Sequence, residues 1–239
     1  MLLWYIITNG TKLGEIMPGP IVVIIKFFKA LYTNIGNYTI IGHIMWSLSR
    51  VMVAYTAGAI LGVALGLSMG RYKLFEAILR PFYEIIRPIP PIAWIPIAII
   101  WFGLGEISKD FIIFISSFTI ITLNAFAGAR AVSPVLVGAA KMLGAKSHQI
   151  FFSIVLPSSI PFIFAGLQAA LSASWGTVLA AEMVHASEGV GWIIFSGMEN
   201  NMPTQIFVGM IAIGIVGFLL INIMRGVEAK LCEWSKSGT

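Results

Sequence analysis

The sequence predicts an all-α integral membrane protein of about five full spans, preceded by a short or truncated N-terminal helix. Three observations carry this. Only 10% of the 239 residues are charged and 58% are hydrophobic, whereas a soluble domain carries about 25% charged residues. Mean hydropathy is +0.93, so part of the surface must face lipid. The apolar residues gather into runs close to the ~20 residues that a helical span requires, and backbone in lipid must satisfy its own hydrogen bonds, which a helix does. The length suits one domain, residues 1–239, of several spans.

The elements follow in order. MLLWYIIT at 1–8 is apolar but too short to cross a bilayer. It lacks the basic start and small-residue cleavage site of a signal peptide, and reads as the tail of a first span that begins before this chain. Pro18 and Pro20 then open an amphipathic stretch bearing Lys26 and Lys29. That stretch reads either as a helix on the membrane surface or as a partly buried packing helix. Spans are expected at 40–69, 89–104, 111–129, 158–181 and 205–224. Within or just beyond the first, Gly58, Gly62, Gly66 and Gly70 recur every four residues. They leave one helix face bare for a neighbouring backbone, from the same chain or from a second copy. Arg50 sits in the outer part of this span and reads as a snorkelling anchor. Pro81, Pro88, Pro90, Pro91 and Pro96 then interrupt helical hydrogen bonding, as a fixed bend or as a hinge.

Polar residues inside spans are candidates to line a pathway. Asn124, Gln168, Ser172 and Trp175 are the strongest; the last three, at i, i+4 and i+7, share one helix face. Glu182 follows Ser158 by 24 residues, roughly 36 Å along a helix, which places it near the outer surface. With His185 and Glu188 it is expected to form an outer gate or to contact an external partner.

Charge sets orientation and excludes other classes. Segments 71–87, 130–146 and the tail after Met224 hold ten Lys and Arg, and the opposite segments hold four. Basic loops stay inside, so the first group and the C-terminus are expected in the cytoplasm. The same rule accounts for the net charge of +5 without nucleic acid. A single cysteine, Cys232, excludes a disulfide framework. His43, His148 and His185 have no metal-ligand spacing. Histidines and carboxylates show no catalytic grouping along the sequence, and no GxxxxGK[ST] phosphate loop is present.

One cytoplasmic stretch, 133–157, is built to touch something. Ser133 is a suitable N-cap and Pro134 suits the first helical position. Val135, Leu136, Ala139, Met142 and Leu143 recur at helical spacing, and Gly144 is a natural stop. Ser147 is expected to cap a second helix reaching about Phe152, which Leu156-Pro157 ends. Gly138, Ala139 and Ala140, with Gly144 and Ala145 at the turn, form a small-residue face that admits close approach. The second helix carries more apolar surface than a solvated loop needs: Ile150, Phe151, Phe152, Ile154 and Val155. Bare connectors are usually about 4–6 residues long. The stretch reads as a rigid knob for a groove on another protein.

The segment GAAKMLGAKSHQIFFSIVLP resembles the EAA loop of ATP-binding cassette (ABC) importer permeases. Ala139, Ala140, Gly144, Leu156 and Pro157 match that pattern, and Gly138 stands where it has glutamate. RPFYEIIRPIPPIAWIPIAIIWFGLGEISK, LSRVMVAYTAGAILGVALGLSMG and VLAAEMVHASEGVGWII are similar to permeases of the nitrate, sulfonate and taurine importer group. The resemblance covers nearly the whole chain from Pro18. It implies a type I ABC importer permease fold, a multi-pass inner-membrane location, and a homodimer in the lipid bilayer. It also implies two cytoplasmic ATPase subunits that hold ATP and Mg, and an external solute-binding protein; this chain itself would bind no cofactor and be no enzyme. Coupling to the ATPase would run through Val135, Gly138, Ala139, Ala140, Leu143, Gly144, Ala145, His148, Phe151, Leu156 and Pro157. Taurine, another sulfonate, nitrate, bicarbonate and a vitamin precursor all suit the resemblance. The outer segments, with four basic and six acidic residues, do not single out an anion. The rival class is a self-contained secondary transporter or channel, which calls for internal repeats and mid-membrane carboxylates. No repeat is evident, and the carboxylates fall in loops or at helix ends.

Overall fold

The computed structural model describes residues 2–8 and 17–231. Lys12, Glu15, Cys232 and Lys236 lie outside the described residues. Among the described residues the chain is helical, with no strand beyond a single bridge between Ile35 and Tyr38.

Four helices are long and apolar enough to span a membrane: α3 (Ile40–Arg71), α6 (Glu106–Arg130), α9 (Leu156–His185) with the turns that lead into it, and α11 (Pro203–Leu231). The helices α1 (Leu2–Thr8) and α2 (Pro20–Ala30) precede them. Val23 and Ala30 of α2 are buried, and Ala30 packs with Val190, Ile193, Val208 and Ala212. This favours the packing-helix reading of the segment. Trp4 of α1 stacks on Phe207 of α11 at 5.4 Å.

The centre of the bundle is the pair α3–α6, and the four glycines explain it. A Cβ on Gly62 would lie 3.1 Å from Ile121, and one on Gly66 would lie 2.5 Å from the carbonyl oxygen of Thr122. Gly58 meets Ser117 and Gly70 meets Ala129 in the same way. The bare face is thus filled from within the same chain. Contacts advance together along both helices, so α3 and α6 run parallel. The segment between them must therefore return the length of the bundle.

That return is a broken span, not the single helix expected at 89–104. It consists of α4 (Lys73–Ile86), a 3₁₀ turn (Pro91–Trp94) and α5 (Ile95–Phe102). The two halves meet at 89°. Pro88, Pro90 and Pro91 lack the donors to carry α4 onward, and the corner is held by short i→i−3 and i→i−4 turns: Arg87 N–Tyr83 O at 2.9 Å, Ile89 N–Ile86 O at 3.1 Å and Ala93 N–Pro90 O at 2.9 Å. Segment 71–87, expected as a cytoplasmic loop, is corrected accordingly. Tyr83 Oη donates to Thr119 O at 2.6 Å, so α4 climbs beside α6 to its middle.

Helix α9 lies antiparallel against α3 and α6, where Gly166 admits Asn124 and Gly128 admits Phe162. Tyr55 Oη donates to Leu167 O at 3.0 Å across this seam. The helix α10 (Val190–Glu199) folds back on α11, with Gly197 against Ile206 and Gly209 against Ile194. The region 182–203 therefore contains a helix with Val190, Gly191 and Ile193 buried. Ile113, Ile121, Leu171, Trp175 and Val178 form the main core between these helices.

Candidate functional site

Three sites were expected: a hairpin at one end of the bundle, a set of polar residues along the spans, and an outer gate or partner contact at Glu182, His185 and Glu188.

The hairpin begins with Ser133 at the cap position, but its hydroxyl makes no capping bond. Helix α7 (Pro134–Met142) is stopped by a Schellman arrangement: Ala145 N donates to Ala140 O at 3.0 Å, and Gly144 N donates to Lys141 O at 3.0 Å. Gly144 has φ +82°, a conformation that glycine adopts without Cβ strain. The next helix, α8 (Ser147–Ile150), is capped from Lys146, whose N–H donates to Gln149 Oε1 at 2.7 Å, rather than by Ser147. The Ser147 hydroxyl instead accepts from Arg71 Nη2 at 3.0 Å. Leu156-Pro157 does not end this helix. A π-helical turn (Phe151–Val155) carries it straight into α9. A proline at the head of a helix lacks the donor for an i→i−4 bond, and the wider turn before it absorbs that loss.

The hairpin has two sides. Ile150 and Val155 are buried against Leu67, Ala125, Ala129 and Ile163, with Ala140, Ala145, Phe151 and Leu156 packed around them. Val135, Ala139, Leu143, Gly144 and His148 face outward, and Gly138 has open space where a side chain would stand. Met142 and Leu143 are 91% and 88% exposed, too much apolar surface at one tip to be incidental. The expected docking residues are thus divided: Ala140, Ala145, Phe151, Leu156 and Pro157 sit on the packed side or at the root of the knob, and the others form its free surface.

Of the pathway candidates, Asn124 is half-buried against Gly166 and donates to Ile120 O at 2.9 Å. Trp175 is buried in the α9–α11 seam, its indole N–H donating to Ile213 O at 3.0 Å. The Gln168 amide reaches Arg225 Nε and Glu228 Oε2 of α11, each at 3.2 Å. Only Ser172 is exposed, sharing an open face with Ala165, Ala169 and Gly176. The shared helix face predicted from spacing is therefore split between a packing seam and a free surface.

The charged cluster is densely connected. Arg50 is 3% exposed, so it does not snorkel. Its Nη1 lies 2.8 Å from Glu182 Oε1, and its Nη2 lies 3.1 Å from Glu106 Oε1 and 3.3 Å from Glu188 Oε1. Nη1 also donates to Glu188 O at 2.9 Å. Glu182, expected near the outer surface, is 1% exposed. Its carboxylate also meets Ser47 Oγ at 2.8 Å and Gly191 N at 2.8 Å. Val190 N donates to Ser47 Oγ at 2.9 Å, and Gly189 N donates to His43 Nδ1 at 3.0 Å. His43 Nδ1 is therefore an acceptor, and its Nε2–H donates to Ile35 O at 2.8 Å. Lys109 pairs with Glu106 at 2.7 Å. His185 ends α9, and its side chain lies outside the described residues.

Four elements thus converge on one guanidinium. His43, Ser47 and Arg50 stand at i, i+4 and i+7 on α3, a signal readable from spacing alone. Their carboxylate partners lie 56 to 138 residues away in sequence, which is why carboxylates that look scattered are in fact gathered. All three carboxylates are engaged by Arg50, so the arrangement is an internal clamp and does not resemble a general acid–base pair. Gly189 closes it, with φ +117° and a position where any Cβ would run into the Glu182 carboxylate. Gly189→Ala is expected to destabilise the protein by about 1–3 kcal/mol. A fall in the thermal midpoint of the purified chain, with no comparable fall for Gly176→Ala, checks this.

The chain is similar in sequence and fold to known transport proteins. The chain matches the family model described as binding-protein-dependent transport system inner membrane component over residues 58–230. It is 35% identical over 192 residues to the taurine transport system permease protein TauC of Escherichia coli, covering 80% of this chain and 70% of that protein. It is 32% identical over 234 residues to the nitrate import permease protein NrtB of Synechocystis, covering 96% of this chain and 84% of that protein. Its fold matches a chain of the methionine ABC transporter MetNI in an inward-facing form, with TM-score 0.63 at 20% identity, covering 79% of this chain and 96% of that chain.

Proposed function

Because this chain belongs to the family of binding-protein-dependent transport system inner membrane components, and is the membrane-spanning permease subunit of an ABC importer, we propose how its parts divide the work. The hairpin faces the cytoplasm and is gripped by an ATPase subunit that holds ATP and Mg. This chain performs no chemistry of its own. Two copies of the chain, two ATPase subunits and an external solute-binding protein make the working importer. The excess of Lys and Arg at the hairpin end supports that orientation and a cytoplasmic C-terminus.

The observation that carries this reading is the free tip of the hairpin. Met142 and Leu143 stand almost fully exposed on a stiff support, closed by a Schellman turn and rooted in a helix that continues through the membrane. An apolar knob with fixed internal hydrogen bonds transmits displacement, which a slack loop does not.

The solute is a small oxyanion, a sulfonate or nitrate. The transport names of the relatives support this, taurine for one and nitrate for the other. The external region 182–203 meets the binding protein through its exposed residues Ser187, Met198 and Glu199, with Glu182 and Glu188 acting from behind as the clamp. Asn124, Gln168 and Trp175 hold the pathway wall in place, and Ser172 faces the path.

Leu143→Asp tests the coupling. It puts a charge on the exposed tip without touching the packed side. The expected result is loss of ATPase co-purification and a drop of tenfold or more in solute uptake, consistent with loss of a central apolar anchor worth about 2 kcal/mol or more. The folded permease should persist at a near-normal thermal midpoint. Unchanged uptake and co-purification would remove the hairpin from the coupling path.

A further inference from the structure

Helix α4 carries a row of charges where a membrane helix should not. Glu76, Arg80 and Glu84 recur every four residues, on a helix that starts beside Arg130 and climbs to Thr119 at the middle of α6. Thr119 is 11 residues from the Arg130 end, roughly 16 Å along the helix. Arg80 and Glu84 side chains are 46% and 54% exposed at this depth. Exposed charges cannot face hydrocarbon at such depth; they need water or a protein partner. The remaining faces of α4 differ in kind. Leu74, Ile78, Phe82 and Ile85 are exposed and apolar, suited to lipid or to another apolar helix.

The charged face borders a cavity of about 570 Å³, lined by Arg71, Lys73, Glu76, Arg80, Glu84 and Arg130 among others. Four of these six side chains are basic and two acidic. Both carboxylates are already engaged: Glu76 by Arg80 at 3.1 Å and Arg130 at 2.9 Å, and Glu84 by Arg80 at 2.7 Å. Lys73 has no carboxylate partner among the described residues, and the buried Arg71 Nε meets no acceptor. The residual charge of the cavity is positive.

We propose that the charged face of α4 forms the wall of a water-filled, net-positive vestibule in the half of the membrane next to the hairpin, a mouth that attracts an oxyanion. The proposal rests on the importer reading and deepens it by placing anion preference at the inner end of the path. A cleft whose charges sum to one sign, between low-dielectric walls, concentrates counter-ions of the other sign. The outer segments, by contrast, carry more acidic than basic residues. Selection by charge therefore belongs at the hairpin end of the molecule and not at its outer end.

Thiol labelling tests this on the assembled importer in proteoliposomes, in a Cys232→Ser background. Ala77 lines the cavity between the charged residues, and Ala77→Cys is a small change. The reagents are a negatively charged sulfonatoethyl methanethiosulfonate and a positively charged trimethylammonioethyl analogue, with labelling of this chain read by mass spectrometry. The expected result is that Ala77→Cys reacts with both, and that the anionic reagent is favoured by roughly tenfold relative to the same ratio for free cysteine. Raising the salt should shrink that preference. Adding Lys73→Glu should bring it within about twofold of the free-cysteine ratio. Failure of both reagents to label Ala77→Cys faster than Phe82→Cys would mean that lipid or protein fills the space, and overturns the proposal. A neutral or cation-favouring ratio overturns it equally. ATP turnover stimulated by a loaded binding protein is measured on the same preparation. Stimulated turnover with a neutral ratio removes the vestibule and leaves the importer; an anionic ratio without a bound ATPase does the reverse.

Discussion

Arg50→Met is expected to be the most damaging single substitution in the protein. It removes the one cation that holds Glu182, Glu106 and Glu188 together. Glu106 and Glu188 can turn toward water, being 45% and 18% exposed, but the Glu182 side chain is fully enclosed. Leaving one partner of a buried ion pair uncompensated costs roughly 3–5 kcal/mol. The purified permease should show a sharply lowered thermal midpoint or fail to accumulate. Arg50→Lys should fall between, because one ammonium cannot spread over three carboxylates and a carbonyl as a planar guanidinium does. The pair Arg50→Met with Glu182→Leu should be less harmful than Arg50→Met alone, since removing both charges also removes the desolvation problem. A double variant as unstable as the sum of its singles would show that the two side chains do not act as a unit.

The second large effect is expected at Gly66, where one methyl group separates two outcomes. A Cβ there would lie 2.5 Å from Thr122 O, 2.7 Å from Ala125 Cβ and 2.9 Å from Phe126 N. Two of these neighbours are backbone atoms of a helix that cannot yield locally. Gly66→Ala should therefore force α3 from α6 and destabilise by about 1–3 kcal/mol, as overpacking does in dense cores. Gly138→Ala is the matched control. It lies inside α7 with nothing near the new methyl group, and should stabilise that helix by up to ~1 kcal/mol. Thermal midpoints of the two variants should move in opposite directions. A harmless Gly66→Ala would contradict the parallel packing of α3 on α6.

What could be read from sequence was whatever depends on local periodicity. The four long spans, the glycine face and the capped turn at Gly144 all follow from spacing, because each is a property of one helix. The broken span did not. Arg80, Glu84 and Arg87 make α4 look like a cytoplasmic loop, and only the contact between Tyr83 and Thr119 shows it beside the middle of α6. The continuity of α8 into α9 was hidden for a related reason: Pro157 signals a stop, and the π turn that overrides it has no sequence mark of its own. The clamp around Arg50 was hidden by distance, since Ser47 and Glu182 are 135 residues apart. Each of these misses concerns how two helices meet, which the pattern within either one does not encode.

The uninterrupted passage from hairpin to outer end has a mechanical consequence. Residues Ser147–Val184 form one helical rod of 38 residues, roughly 57 Å long at 1.5 Å per residue. One end bears the exposed knob, and the other carries Glu182 in its grip on Arg50. Rocking such a rod by about 5° shifts its far end by about 5 Å, close to one helical turn. A push at the knob therefore needs no relay of side chains to be felt at the opposite face. The π turn becomes the place to look for compliance, because a wider coil near the driven end sets how much of the stroke is delivered and how much is lost in bending.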